Sequence, residues 1–225
     1  MTNQFTLLPG AGAFMDELSR TLEGDHSHLY AQFRTFEGDA PGERFAGLLV
    51  RQAARGADVR LMVDAYSDVV LSDVWPVLLH RQHEVAVERA KTHALFERLR
   101  AQGVGVQRTA PLGALGRFAL FRNHKKMVVL GEQIAFGGGI NISDHNYDWR
   151  DFMVKIEGPL AATLARDFRS TWDGQTVTLA TPHPGADFVL NQCPGRYSVF
   201  EEILRMIDRA QRTIVIESPY LLGDR

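Results

Sequence analysis

The chain's pattern predicts an α/β fold with a mixed β-sheet flanked by helices. Helical and extended patterns alternate along the sequence, and several extended runs are apolar enough to lie inside a sheet. A helix–strand pair that recurs near the end also predicts the first helix and strand of a second similar lobe.

The elements follow in order. Ala13 to Leu22 carries Phe14, Leu18 and Leu22 at helical spacing, and His28 to Phe36 follows as a strand. The cluster Glu37-Gly38-Asp39-Ala40-Pro41-Gly42 reads as a turn. Phe45, Leu48, Leu49 and Ala53 then mark one face of a helix ending at Gly56. Val59 to Val63 is a short apolar strand, and the stretch from Asp64 to Ala90 gives no clear period. Thr92 to Gln102 reads as a helix stopped by Gly103, with Val104 to Gln107 as the next strand. Met127 to Leu130 and Ile134 to Phe136 are apolar strands joined by the tight turn Gly131-Glu132-Gln133. Phe152 to Ile156 alternates apolar and polar residues. Pro159 suits the first turn of a helix running through Leu160, Leu164, Phe168 and Trp172. Residues 176–195 hold Pro182, Pro184 and Pro194 and read as a linker.

Beyond the linker, Phe200 and Leu204 open a helix that leads to Ile216, as Phe14 and Leu18 lead to Tyr30. At about 150 residues per domain, 225 residues make about one and a half domains. The expected division is a first domain over 1–175, a linker over 176–195 and the start of a second domain over 196–225. An equal second copy would carry its counterpart of His124 beyond Arg225.

Charge and composition narrow the function. Twenty-five Lys+Arg against 27 Asp+Glu leave a net charge of −2, which argues against a nucleic-acid binder driven by bulk charge. A single cysteine, Cys193, offers no internal disulfide. No run reaches the ~20 apolar residues of a membrane span, and the first residues lack a signal-peptide pattern. These features point to a cytoplasmic chain.

The chemistry concentrates between Arg122 and Glu157. In extended backbone His124 and Lys126 share a face, which places an imidazole beside an ammonium. Such a pair suits attack on a phosphodiester, with neutral His as nucleophile and Lys neutralising a phosphoryl oxygen. Gly137-Gly138-Gly139 allows close backbone approach to an anion, and Asn141 adds an amide donor.

These residues resemble the phospholipase D superfamily signature, H-x-K-x4-D-x6-G-[SG]-x-N. His124 and Lys126 match its opening, and Gly138, Gly139 and Asn141 match its end at the same spacing. The Gly-Gly-Ile-Asn form, Trp149-Arg150-Asp151, Ile156-Glu157-Gly158-Pro159, Gly38-Asp39-Ala40-Pro41-Gly42 and Ser218-Pro219-Tyr220 look most like bacterial cardiolipin synthases. The resemblance implies two such motifs face to face. One His forms a phosphohistidine and the other protonates the leaving alcohol, with His124 as the nucleophile or its partner acid; Lys and Asn hold the phosphate, and neither metal nor cofactor is required. It implies that Asp151, ten residues past Asn141, orients the nucleophilic imidazole. It further implies Gly138 and Gly139 as parts of the phosphate site. The sequence departs from the pattern twice. Gly131 stands where the motif has Asp, which bears on rate and stability more than on reaction type, and no second H-x-K follows Asn141.

The implied activity is a phosphatidyltransferase of cardiolipin synthase type. It would move a phosphatidyl group from phosphatidylglycerol or a similar phospholipid to a glycerol-containing alcohol, in peripheral contact with the inner membrane. A second catalytic lobe would come from the same chain or from a dimer partner. Two alternatives stand beside it: a dimeric phosphodiesterase or nuclease, and an inactive lobe that binds anionic headgroups. Net acidity and the Gly-Gly-Ile-Asn and Trp149-Arg150-Asp151 forms favour lipid over nucleic acid.

Other features carry simpler readings. His26 with His28, and His80 with His83, lack the companions of a metal site and read as surface histidines. Asp39 and Asp64 read as caps or turn-formers. Arg117, Arg122, Lys125 and Lys126 form a basic cluster, and Phe118, Leu120 and Phe121 beside it read as buried strand packing. Cys193 has no basic neighbour pair and no catalytic role.

Overall fold

The structure, a computed structural model, describes residues 2–65, 82–109, 123–175 and 198–216. The linker prolines, Cys193, His80, Arg117, Arg122, Phe118, Leu120, Phe121 and Ser218-Pro219-Tyr220 lie outside the described residues.

Seven strands form one mixed sheet in the order β1-β7-β6-β5-β2-β3-β4. The chain runs β1 (Gln4–Pro9), α1 (Gly10–Thr21), β2 (His28–Phe33), α2 (Ala40–Ala54), β3 (Asp58–Asp64), α3 (Gln82–Ala101) and β4 (Gly105–Thr109). It continues β5 (Met127–Leu130), β6 (Ile134–Gly138), α4 (Asp144–Tyr147), β7 (Phe152–Glu157), α5 (Leu160–Trp172) and α6 (Ser198–Arg209). Strands β2, β3 and β4 are parallel and joined through helices, as a parallel crossover demands. β2–β5, β5–β6, β6–β7 and β7–β1 are antiparallel.

Alternation in the strands divides the core into two layers. Leu29, Ala31, Phe33, Val128 and Leu130 face α1, α2 and α3, where Phe14, Phe45, Phe36 and Phe96 are buried with them. The Phe45 ring meets Phe33 and Phe36 edge-on at centroid distances of 5.3 and 5.7 Å. Tyr30, Met62, Met127, Val129 and Ile156 face α5, through Leu160, Leu164 and Phe168. Tyr30 stacks between His28 and Phe168 at 4.4 and 4.7 Å.

Several elements differ from the sequence expectation. β1 is an edge strand with one buried residue, Leu8, so its alternation is too weak to read. α3 begins at Gln82, ten residues before the expected Thr92; only Val85 of its first turns belongs to the core. α2 opens at Ala40 because Asp39 is its N-cap, its carboxylate accepting the Gly42 N–H at 3.0 Å. The helix expected from Phe200 and Leu204 forms as α6, whereas residues 213–216 carry no strand at the expected Ile216. A strand needs a hydrogen-bonded neighbour, and among the described residues none pairs with this segment.

Candidate active site

The chain ends of several strands converge at one end of the sheet. β2 delivers Arg34 and Thr35, β3 delivers Asp64, and residues 123–126 lead into β5. The loop after β6 carries Asn141, and Asp151 precedes β7. Ligand sites of α/β sheets form at strand ends of this kind.

Residues 123–126 lie just outside the β5 ladder, so side chains fix them. Asp64 is fully buried, and its carboxylate accepts the Asn123 N–H at 2.6 Å. The Asn123 side chain accepts the Lys125 N–H at 3.3 Å. Lys126 C=O accepts the Gly138 N–H at 3.2 Å, which ties the start of the motif to its end.

Within this segment Lys126 folds back on its neighbour. Its Nζ lies 3.2 Å from His124 Nδ1 and donates to the His124 carbonyl at 2.9 Å. An ammonium only donates, so Nδ1 accepts and the ring proton is assigned to Nε2. His124 keeps an exposed outer edge. Even so, enough protein surrounds the ring for loss of water to be the largest influence on it. That loss, with the Lys126 ammonium and the Arg34 guanidinium, holds its pKa down at about 4. Lys126, 6% exposed, is lowered to about 8 by burial first and Arg34 second, while Asp151 and Asp64 pull it back up. At neutral pH the imidazole is therefore uncharged and the lysine cationic, the states that attack on a phosphodiester requires.

Asn141, 9% exposed, has its carbonyl Oδ1 engaged by the Thr35 N–H at 3.1 Å. That bond sets the amide's orientation, and among the described residues its NH2 donates to no partner.

Gly138, Gly139 and Asp151 are each engaged by neighbouring parts of the protein. The Gly138 N–H is donated to Lys126 and the Gly139 N–H to Phe152 C=O at 3.0 Å, so neither faces an anion. The glycines are needed for space. A Cβ on Gly138 would lie 2.3 Å from Phe152 O, and one on Gly139 would lie 2.1 Å from the Asp151 carboxylate. That carboxylate accepts the Phe152 N–H at 2.8 Å and acts electrostatically on Lys126. Among the described residues it makes no hydrogen bond to His124.

Gly131 sits at φ +58° in the β5–β6 turn, at the end of β5 remote from His124, and its N–H donates to His28 C=O. A left-handed turn position favours glycine, which gives its presence in place of the motif Asp a local cause. Glu132 beside it pairs with Arg169 at 3.0 Å.

Sequence reasoning missed two members of the site. Arg34 follows the end of β2, distant in sequence, and acts on both His124 and Lys126. Asp64, read as a turn-former, carries the Asn123 backbone. Among the described residues no three His, Cys, Asp or Glu side chains gather as a metal site would need, and no helix is long and apolar enough to cross a membrane.

Comparison with known proteins gives the family. The family described as cardiolipin synthase, PLD-like domain, matches residues 21–172. Cardiolipin synthase A of Pseudomonas fluorescens is 28% identical over 242 residues, covering 99% of this chain and 46% of that protein. A cardiolipin synthase of Geobacillus sp. WCH70 is 28% identical over 226 residues, covering 90% of this chain and 41% of that protein. The chain thus spans less than half the length of these relatives. Among solved structures, the phospholipase D family member Nuc from Salmonella typhimurium superposes with a TM-score of 0.55 at 14% identity, covering 76% of this chain and 95% of that one. A polyphosphate kinase from Porphyromonas gingivalis superposes with a TM-score of 0.54 at 16% identity, covering 92% of this chain and 30% of that one; both likenesses concern the fold. With its family match running from the end of α1 through α5, the chain belongs to the cardiolipin synthase PLD-like domain family.

Proposed function

We propose that the chain supplies one catalytic half of a phosphatidyltransferase of cardiolipin synthase type. The observation that carries this reading is the His124–Lys126 pair, an uncharged imidazole held against a cationic lysine. In the first step an imidazole nitrogen attacks the phosphorus of phosphatidylglycerol. A P–N bond forms, the P–O bond to the headgroup glycerol breaks, and that glycerol takes a proton from an acid. In the second step a glycerol-containing alcohol attacks phosphorus and gives its proton to the conjugate base of that acid, restoring it. The P–N bond breaks and its electron pair returns to the ring.

Each residue has a part that its position allows. Lys126 leaves Nδ1 for a non-bridging phosphoryl oxygen, which frees the imidazole lone pair while the cation neutralises developing charge. Asn141 donates to the same group. Asp151, already within electrostatic reach of Lys126, accepts a ring N–H once the lysine has moved and so fixes the tautomer. The acid for the leaving glycerol comes from a second lobe, in the same protein or a partner, and the substrate is met at a membrane surface.

The test offers phosphatidylglycerol vesicles and single-stranded DNA to the protein with its second lobe present, in cis or from a partner, and to its His124→Ala variant. Release of glycerol from vesicles, lost in the variant, supports the reading. Cleavage of DNA alone points to the nuclease alternative, and vesicle binding without turnover points to a headgroup-binding lobe.

A further inference from the structure

The residue between the two motif side chains has no part in the chemistry above, yet it is held more firmly than either. Lys125 points away from His124 and Lys126, as alternation requires. Its Nζ meets both oxygens of Asp167 on α5, at 2.8 and 2.7 Å. The Asp167 side chain is wholly buried and that of Lys125 is 9% exposed. Leu164 and Phe168 of the same helix are buried on the sheet, and the Thr171 hydroxyl donates to the Asp167 carbonyl. The helix that supplies the carboxylate is therefore itself anchored.

Burying two charges costs desolvation that their attraction returns only in part, so such a pair is weak evidence of stabilisation. Its geometric consequence is specific. Residues 123–126 lie outside the strand ladder, and two buried carboxylates grip them from different elements: Asp64 of β3 through the Asn123 N–H, and Asp167 of α5 through Lys125. With Lys125 fixed on one face, the residues on either side must project from the other.

We propose that Lys125 and Asp167 form a positioning pair that sets the rotation of the H-x-K segment and so holds His124 and Lys126 together at the site. The inference rests on the reading of His124 and Lys126 as the reacting pair. It adds two residues that touch neither substrate nor each other's reacting neighbours.

The test uses the double variant Lys125→Met/Asp167→Leu, since apolar replacement of both partners of a buried pair often leaves stability unchanged. Three quantities are read: thermal unfolding, the titration of His124 by NMR (its signal assigned by loss in His124→Gln), and turnover of phosphatidylglycerol vesicles. The expected result is wild-type-like unfolding, a His124 midpoint displaced from about 4 toward its ordinary value, and turnover lowered about a hundredfold with KM nearly unchanged. Lys125→Arg, which keeps the charge and both hydrogen bonds, should retain the wild-type midpoint and turnover. A folded double variant with an undisplaced His124 midpoint and full turnover overturns the proposal. If the double variant does not fold, Asp167→Glu, which pushes Lys125 outward by one methylene, takes its place; an unmoved midpoint there is equally fatal. Turnover is read with the second lobe present; its absence there counts against the proposed function alone, and the His124 titration then decides the role of the pair.

Discussion

The Thr35 backbone N–H donates to Asn141 Oδ1 at 3.1 Å, joining the end of β2 to the loop after β6 across 106 positions of sequence. The bond occupies the acceptor half of the amide and leaves the donor half for substrate. Asn141→Asp preserves the acceptor and removes the donor. The variant should therefore unfold near the wild-type temperature while losing turnover by about 1.5–3 kcal/mol of transition-state stabilisation, the range of a hydrogen bond to a charged group. Thermal unfolding and kcat/KM measured together check this. Loss of fold without a separate loss of turnover would contradict it.

The His124–Lys126 pair predicts a pH window. His124 works uncharged and so requires pH above about 4; Lys126 works charged and so requires pH below about 8. The rate should be bell-shaped with limbs near those values. Both groups have folded pKa values below their ordinary ones, so the folded state resists their protonation. Stability contributed by keeping His124 neutral is present above 6.5 and is lost as pH falls toward 4. In Lys126→Met the His124 midpoint should rise only part of the way to 6.5, because loss of water, the larger cause, remains. An unchanged midpoint would separate the two side chains.

The two motif glycines should differ in their response to a methyl group. At Gly138 the added Cβ meets backbone of Phe152 and Met153; at Gly139 it meets the movable carboxylate of Asp151. Gly138→Ala should cost about 1–3 kcal/mol by overpacking. Gly139→Ala should cost less stability but more turnover, since it displaces Asp151 from Lys126. Denaturant unfolding and kinetics of the two variants test the contrast. Equal stability losses would refute it.

Asp39 joins the fold to the site loop. One carboxylate oxygen accepts the Gly42 N–H as the α2 cap, and the other accepts the Asp144 N–H at 2.5 Å. Asp39→Ala should lose about 1–2 kcal/mol, and Asp39→Ser should recover the cap alone. Full recovery by Ser would show that the bond to Asp144 contributes nothing.

Legibility in the sequence followed local physics. Strands β2, β3, β5, β6 and β7 and helices α1, α2 and α5 bury enough of one face to show their periods. β1, with only Leu8 buried, and the first half of α3, with only Val85 in the core, bury too little. The motif spacing exposed His124, Lys126 and Asn141, because a strand and a short loop place them by sequence alone. Arg34 and Asp64 reach the site through pairing of β2 with β5 and with β3, which no local pattern encodes. The glycines were read for their freedom, whereas their role is set by what lies opposite, Phe152 and Asp151.

The most direct measurement of the central claim is chemical trapping on His124. The chain is mixed with phosphatidylglycerol carrying labelled phosphorus, quenched under alkaline conditions, digested and analysed by mass spectrometry. The account predicts an acid-labile phosphatidyl adduct on the peptide containing His124, absent from His124→Ala and diminished in Lys126→Met. An adduct that survives His124→Ala, or glycerol release with no adduct on that peptide, would contradict it.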